Sequence, residues 1–301
     1  MVTIQILTHN NGKTLRQTLE SLLPLQGTIM ITDLGSTDDT IQIAKSFNAF
    51  VTSSTSTNRS NIRNKLITQG WNFYIDPWEV LINLFTMPEQ PQAFVFQVIN
   101  NNVIIKETRL WHSDLNLKFE NPIYESLYNF NSDFIENSII FSNGQSEVTE
   151  DALDEWVKNC PTLCSPYYYR AFLYLKNKKY NKFINDVNQY LFLGGDGISS
   201  CTIQYYMSLV YLYVLNDVEN STKRIAMCLN ANILMAEFWC VLGDIFYKLN
   251  KYEKAYSFYE NAIILGSRRL KLDFWPMDID KYKTYPKKMM QSCQDLISGW
   301  I

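Results

Sequence analysis

An α/β domain built on a mostly parallel sheet, followed by an all-α repeat domain, is the architecture this sequence predicts. Three observations predict it. Over the first ~80 residues, β-type apolar runs alternate with segments whose apolar residues recur every three or four positions, the signature of a parallel sheet covered by helices. After about Glu147 the strand-like runs vanish and only helical spacing remains. In that second half, small and aromatic residues recur in a pattern characteristic of stacked helix pairs.

The elements follow in order. Val2 to Leu7 is a strand-like run that stops at Thr8-His9-Asn10-Asn11-Gly12. Leu15, Leu19, Leu22 and Leu23 then share a helical face, which Pro24 and Gly27 end. Thr28 to Thr32 is a second strand, stopped by Asp33-Leu34-Gly35. Ser36 or Thr37 is positioned to cap a helix with Asp38 and Asp39 in its first turn, where carboxylates favour the helix dipole. Ala49 to Thr52 predicts a third strand, Asn58 to Gln69 a polar helix, and Trp71 to Ile75 a fourth strand ending at Asp76-Pro77-Trp78-Glu79. Polar clusters therefore follow three strands, and in an open parallel sheet such ends share the ligand-binding edge. From Ala93 to about Ser142 the pattern is β-rich with a hairpin signal at Asn100-Asn101-Asn102, which predicts an antiparallel extension. The segment Ser142 to Ser146 marks a boundary, giving domains 1–145 and 146–301.

Composition narrows the function. With 30 acidic and 27 basic side chains among 301 residues the formal charge is −3, which argues against a nucleic-acid footprint. No run approaches the ~20 apolar residues of a membrane helix. The start does not read as a signal peptide, and all six cysteines lie in the second half as small apolar residues, so a cytoplasmic location is expected. There are two histidines, His9 and His112. Any metal in the first half would need oxygen ligands, which selects Mg²⁺ or Mn²⁺.

In the second half Trp239, Leu242, Gly243, Phe246, Ala255, Tyr259 and Ala262 match the tetratricopeptide pattern, with a weaker copy from Tyr167 through Ala171, Tyr174, Phe183 and Val187 to Tyr190. Tyr205 to Asn232 is a degenerate pair with irregular spacing between them. Such units present extended surfaces to protein partners or to a second copy of the chain, so a homodimer through the repeats is one expectation.

The first half resembles the inverting, family 2 type of nucleotide-sugar glycosyltransferase with a GT-A (Rossmann-like) fold. It is most similar to members carrying a C-terminal tetratricopeptide region, a group that includes peptide S-glycosyltransferases. The residues that carry the resemblance are Asn10-Asn11, the block Asp33-Leu34-Gly35-Ser36-Thr37-Asp38-Asp39-Thr40, Arg63-Asn64, Asp76-Pro77-Trp78-Glu79, Arg109-Leu110-Trp111 and Phe119 to Glu125. The resemblance implies a nucleotide-sugar donor, with UDP expected, and an acceptor protein, peptide or glycan. It implies that Thr8, Asn10, Asp33, Ser36, Arg63, Asp76 and Arg109 hold the donor, that Asp76 and Glu79 are the carboxylates nearest a divalent ion, and that Glu125 is the catalytic base. Trp78 stands where the family has a metal-binding aspartate, and Tyr124 where it has histidine. An indole cannot ligate Mg²⁺ or Mn²⁺, so weak metal dependence is expected. Two readings follow: an active transferase, or a degenerate relative acting as a nucleotide- or protein-binding module through its repeats. A dinucleotide-binding dehydrogenase is excluded, because no Gly-x-Gly-x-x-Gly follows the first strand.

Overall fold

The computed structural model of the protein describes residues 2–127, 133–142, 144, 148–269 and 273–298, with backbone alone for 133–138. The chain divides into two compact units, Met1–Glu147 and Val148–Ile301. The boundary expected between residues 145 and 146 lies outside the described residues.

In the first unit, β1 (Val2–Thr8), β2 (Thr28–Asp33), β3 (Phe50–Ser53) and β4 (Trp71–Tyr74) run parallel, with β1 between β2 and β4. Helices α1 (Gly12–Leu22), α2 (Thr40–Ser46) and α3 (Arg59–Lys65) connect them. Strands β5 (Glu79–Leu81), β6 (Ala93–Asn100) and β7 (Val103–His112) follow, then a small ribbon of β8 (Phe119–Glu120) with β9 (Ser126–Leu127), and β10 (Asp133–Ser142). The order across the main sheet is β3-β2-β1-β4-β7-β6-β10-β5. β6 and β7 form the expected hairpin, turning at Asn101 with φ 51°. β10, however, runs parallel to β6, so the extension is mixed rather than antiparallel throughout.

The sheet curls, because its apolar strand faces must close around α1. The amide of Leu81 on β5 donates to the Ser21 hydroxyl of α1 at 3.1 Å. Ile4, Ile6, Leu15, Leu19, Phe73, Phe96 and Ile140 meet in one core on that side. The alternate residues of β1 point the other way, where Leu7 packs on Ile62 and Leu66 under α3.

Three local expectations are corrected. Leu23 leaves the α1 face and is 55% exposed in a 3₁₀ turn, because Pro24 has no amide to continue the helix. α2 begins at Thr40 rather than at Ser36 or Thr37, since Asp38 turns away to accept hydrogen bonds from Gly12 and Thr40. α3 stops at Lys65, short of Gln69, because the Asn72 side chain captures the Thr68 amide at 2.9 Å and Gly70 takes φ 94°.

The second unit opens with α4 (Glu150–Asn159), capped by the Thr149 hydroxyl on the Ala152 amide. Three helix pairs follow: α5 (Ser165–Lys176) with α6 (Tyr180–Phe192), α7 (Gly197–Leu209) with α8 (Val218–Ala231), and α9 (Ala236–Lys248) with α10 (Tyr252–Gly266). The short α11 (Ile279–Tyr282) and α12 (Tyr285–Ser298) complete it. The turns of all three pairs carry one residue at positive φ, Lys178, Asn216 and Asn250, near the ~34-residue period of tetratricopeptide units. In the outer two, the amide after that residue closes back on the helix: Lys179 to Tyr174 at 2.8 Å and Lys251 to Phe246 at 2.9 Å. In the middle pair the corresponding bond, Asp217 to Tyr211 at 2.8 Å, spans one residue more. A π-helical turn over Val210–Val214 absorbs that residue. This is why Tyr205 to Asn232 reads as irregular in sequence while still forming a helix pair.

Gly243 allows the closest approach in the third pair, where an added Cβ would lie 2.4 Å from Tyr259 Cε1. Tyr259 and Tyr285 both donate to the buried Asp244 carboxylate at 2.6 Å. Gly243→Ala should therefore cost about 1–3 kcal/mol despite alanine's better helix propensity. Hydrogen exchange across residues 236–266 would show this as faster opening; unchanged protection would contradict the packing.

Candidate functional site

The loops after β1 and β2 are sewn together by their own polar side chains. Asn10 adopts φ 52°, its amide donates to Ser36 Oγ at 2.8 Å, and its Oδ1 accepts from the Thr37 amide at 2.7 Å. The Asn11 amide donates to Thr40 Oγ1 at 2.8 Å, and the Gly12 amide, at the start of α1, donates to Asp38 Oδ2 at 3.0 Å. Asp33 is buried, and its carboxylate accepts from the amides of Gly35 and Ser36, closing a turn in which Gly35 takes φ 98°. Thr8 is buried and donates to Asn11 Oδ1 at 3.0 Å. At Gly12 an added Cβ would lie 1.8 Å from Asp39 Oδ1, so the exposed Asp39 side chain would have to turn aside. The Asp33 to Thr40 block thus has a structural task that its spacing alone does not disclose.

The second group of predicted residues forms an ion-pair cluster. Arg63 on α3 is 1% exposed; its Nε donates to Glu125 Oε1 and its Nη2 to Asp76 Oδ1, both at 2.8 Å. Arg59, one turn earlier on α3, donates from Nε to the other Glu125 oxygen at 2.8 Å. Arg109 on β7 is 3% exposed and grips Glu79 through two bonds of 2.9 Å, with Glu107 at 2.6 Å. Glu79 also accepts from the Asp76 amide at 2.8 Å, which fixes the turn after β4. Both buried guanidinium groups stack on Tyr74, with Cζ 4.7 Å (Arg63) and 4.3 Å (Arg109) from the ring centroid.

Asn64 explains why an Arg-Asn pair is needed. Its side chain accepts from the Phe119 amide at 2.8 Å and donates to the Phe119 carbonyl at 3.0 Å, docking β8 on α3. The Arg59 amide donates to the Pro122 carbonyl at 2.8 Å, and left-handed turns at Asn121 and Tyr124 swing Glu125 back toward the arginines.

Burial would raise the Glu125 carboxyl, but the charges of Arg63 and Arg59 more than offset it and hold it below the ordinary range. For Glu79 burial prevails over Arg109 and pushes the carboxyl up to about 7. Burial likewise raises the Tyr74 phenol.

The predicted residues thus fall into two sets, Thr8, Asn10, Asp33 and Ser36 in one and Arg63, Asp76, Glu79, Arg109 and Glu125 in the other. Both sit at or beside the carboxyl ends of the adjacent strands β2, β1 and β4. Arg59, Tyr74 and Glu107 join the second set without having been anticipated. The signal for Arg59 was its i, i+4 relation to Arg63; Tyr74 and Glu107 had none, because only strand pairing brings β4 beside β7. Gln5 on β1 is also buried on this face, with both side-chain polar atoms unpartnered among the described residues. A cavity of about 290 Å³ lined by Leu22, Gln26, Thr28, Phe47 and Phe50 lies at the opposite, amino-terminal end of β2.

The donor set does not fit a divalent ion. Glu79 has both oxygens on Arg109, Asp76 has one on Arg63, and Trp78 offers none. Among the described residues no three His, Cys, Asp or Glu side chains are grouped to hold a metal. Nor is any helix of the described residues long and apolar enough to cross a membrane.

No protein-family model matches the chain, and no curated protein matches it. Solved structures similar to it include the TPR domain of Arabidopsis OM64, at 13% identity and a TM-score of 0.35, over 44% of this chain and 94% of that one. MamA from residue 41 onward, from Desulfovibrio magneticus RS-1, is similar at 17% identity and a TM-score of 0.36, over 50% of this chain and 84% of that one. The Sgt2 TPR domain of Aspergillus fumigatus matches at 13% identity and a TM-score of 0.35, over 45% of this chain and 79% of that one.

The two carboxylates impose opposite pH slopes on the first unit. Burial raises the Glu79 carboxyl to about 7 from an ordinary value of 4.5, so its contribution falls as pH rises between those values. Glu125 is depressed when folded, so its contribution is present above about 4.5 and is lost as pH falls below it. Hydrogen exchange of peptides from residues 2–127 across pH should show Glu79→Gln flattening the upper slope and Glu125→Gln the acid limb. Slopes unaffected by either change would refute the assignment.

Proposed function

We propose that the first unit is an inverting nucleotide-sugar transferase domain of GT-A type. It would move a sugar from a UDP-sugar to a protein, peptide or glycan acceptor. What supports the reading most is convergence: segments as remote as Asn10, Asp33, Arg63, Asp76 and Glu125 all meet at or beside the carboxyl edge of the parallel strands. A ligand bound across that edge would be reached by all of them.

Each side chain has a task in this reading. The Asp33 carboxylate keeps lone pairs beyond those used by Gly35 and Ser36, and can accept an imide N–H of the base. Thr8 and Asn10 shape the loop beside it, with Ser36 holding Asn10 in place. Asp76 faces the ribose or the diphosphate. Arg109 acts at a distance by fixing Glu79 and so the turn that carries Asp76. In the reaction an acceptor oxygen or sulfur attacks C1 opposite the leaving group. The C1–O bond to the diphosphate breaks, its electron pair leaves with the diphosphate, and the acceptor proton passes to Glu125.

A second reading, a binding module that keeps the fold without turnover, is favoured by the closure of the ion pairs. Glu125 is held on both oxygens, and its depressed basicity suits an anchor as well as a base. Under it the helix pairs would carry the activity by binding a partner protein or a second copy of the chain.

Calorimetry with UDP and an assay of donor consumption separate the two. Under the transferase reading UDP binds, and Asp33→Asn weakens it by about 1–3 kcal/mol, the scale of one hydrogen bond to a charged group. Glu125→Gln then stops turnover without abolishing UDP binding. Binding with no turnover toward any UDP-sugar would favour the module, and no UDP binding at all would overturn the donor assignment.

A further inference from the structure

The structure assigns Arg59, braced by the buried Arg63 through their shared Glu125, as the clamp for a diphosphate group, in which Glu125 is the resident counter-ion and guanidinium charge does the work of a divalent cation. This rests on the reading of the first unit as a nucleotide-sugar site and names the group that neutralises the leaving diphosphate.

Four observations carry it. First, two arginines one helical turn apart converge on the two oxygens of one carboxylate, each through Nε at 2.8 Å. This is charge-assisted, paired recognition of an oxyanion, and a phosphate oxygen satisfies the same donors. Second, Arg59 uses only Nε: among the described residues its two terminal nitrogens have no partner, and the side chain is 18% exposed. Donors of a charged group left open beside a binding edge point to an acceptor that comes from outside. Third, Arg63 and Glu125 are nearly buried, at 1% and 5%, so the clamp is held rigidly from behind. Arg63 stacks on Tyr74 and Phe119, with Cζ 4.7 and 5.5 Å from the ring centroids, which keeps its charge fixed and poorly solvated. Fourth, the carboxylates that would bring a metal to the diphosphate are committed elsewhere, Glu79 to Arg109 and Asp76 to Arg63. Two phosphates beside Asp76 need a cation, and Arg59 is the arginine of this cluster with donors still open.

The arrangement couples donor binding to the base. A diphosphate taking the terminal nitrogens of Arg59 draws that guanidinium from Glu125 Oε2, and the freed oxygen can accept the proton of the acceptor. The base thus becomes competent only when a donor is in place.

The test is calorimetric binding of inorganic pyrophosphate and of UDP to the full chain in the presence of EDTA. Both should bind without metal. Arg59→Gln should weaken each about tenfold, and Arg59→Lys should recover only part, since an ammonium keeps the charge but loses the fork. Glu125→Gln should tighten both by about three- to tenfold, because it removes the competing anion. A purely structural ion pair would give no such gain. If Glu125→Gln fails to fold by circular dichroism, the contrast between Arg59→Gln and Arg59→Lys decides. Binding that needs Mn²⁺, or that is indifferent to Arg59, overturns the clamp while leaving the transferase reading intact. Pyrophosphate binding without UDP binding leaves the clamp and overturns the nucleotide donor, and binding of neither ligand overturns both.

Discussion

Two guanidinium groups, those of Arg63 and Arg109, are buried beside one tyrosine ring, and a desolvated cation cannot be left without an anion. Much of the first unit's irregular structure answers that demand. Glu125 is brought back from the loop after β8, Asp76 and Glu79 close the turn after β4, and Glu107 reaches in from β7. Each of these guanidinium groups ties two carboxylates from different segments, so the segments are coupled although they are far apart in sequence. Tyr74 lies between the two halves and gives both cations a π-face where water cannot serve them.

The loops after β1 and β2 obey a different rule. Among the described residues no cation holds them; short polar side chains satisfy backbone amides that neither helix nor sheet has used. Asp33 closes its own turn, Asp38 takes the amide at the start of α1, and Ser36 and Thr40 take those of Asn10 and Asn11. An eight-residue motif therefore serves folding before it serves any ligand. A nucleotide at this edge would meet a preorganised surface and would not have to order the loop on binding.

The helical unit shows how a repeat tolerates an insertion. One extra residue in the middle pair is taken up by a single π-turn, and the antiparallel pairing of α7 with α8 survives. The exposed run Tyr213 to Leu215 at that turn is the local consequence, since widening the helix rotates those side chains off the buried face.

Local pattern sufficed for much of this protein. Alternating β and helical periods predicted the four parallel strands and their helices, because those periods reflect which face of each element is apolar. Gly243, Ala255 and Tyr259 predicted a close helix pair, because only small residues admit a large ring. The residues of the candidate site were legible as types at strand ends. Their partners were not. That Arg109 meets Glu79, that Arg59 and Arg63 share Glu125, and that Asp38 takes the first amide of α1 as well as that of α2 depend on which strands and loops the fold sets side by side. Charge pairing in a buried face is decided by which segments the fold brings within about 3 Å, a distance that sequence separation does not encode.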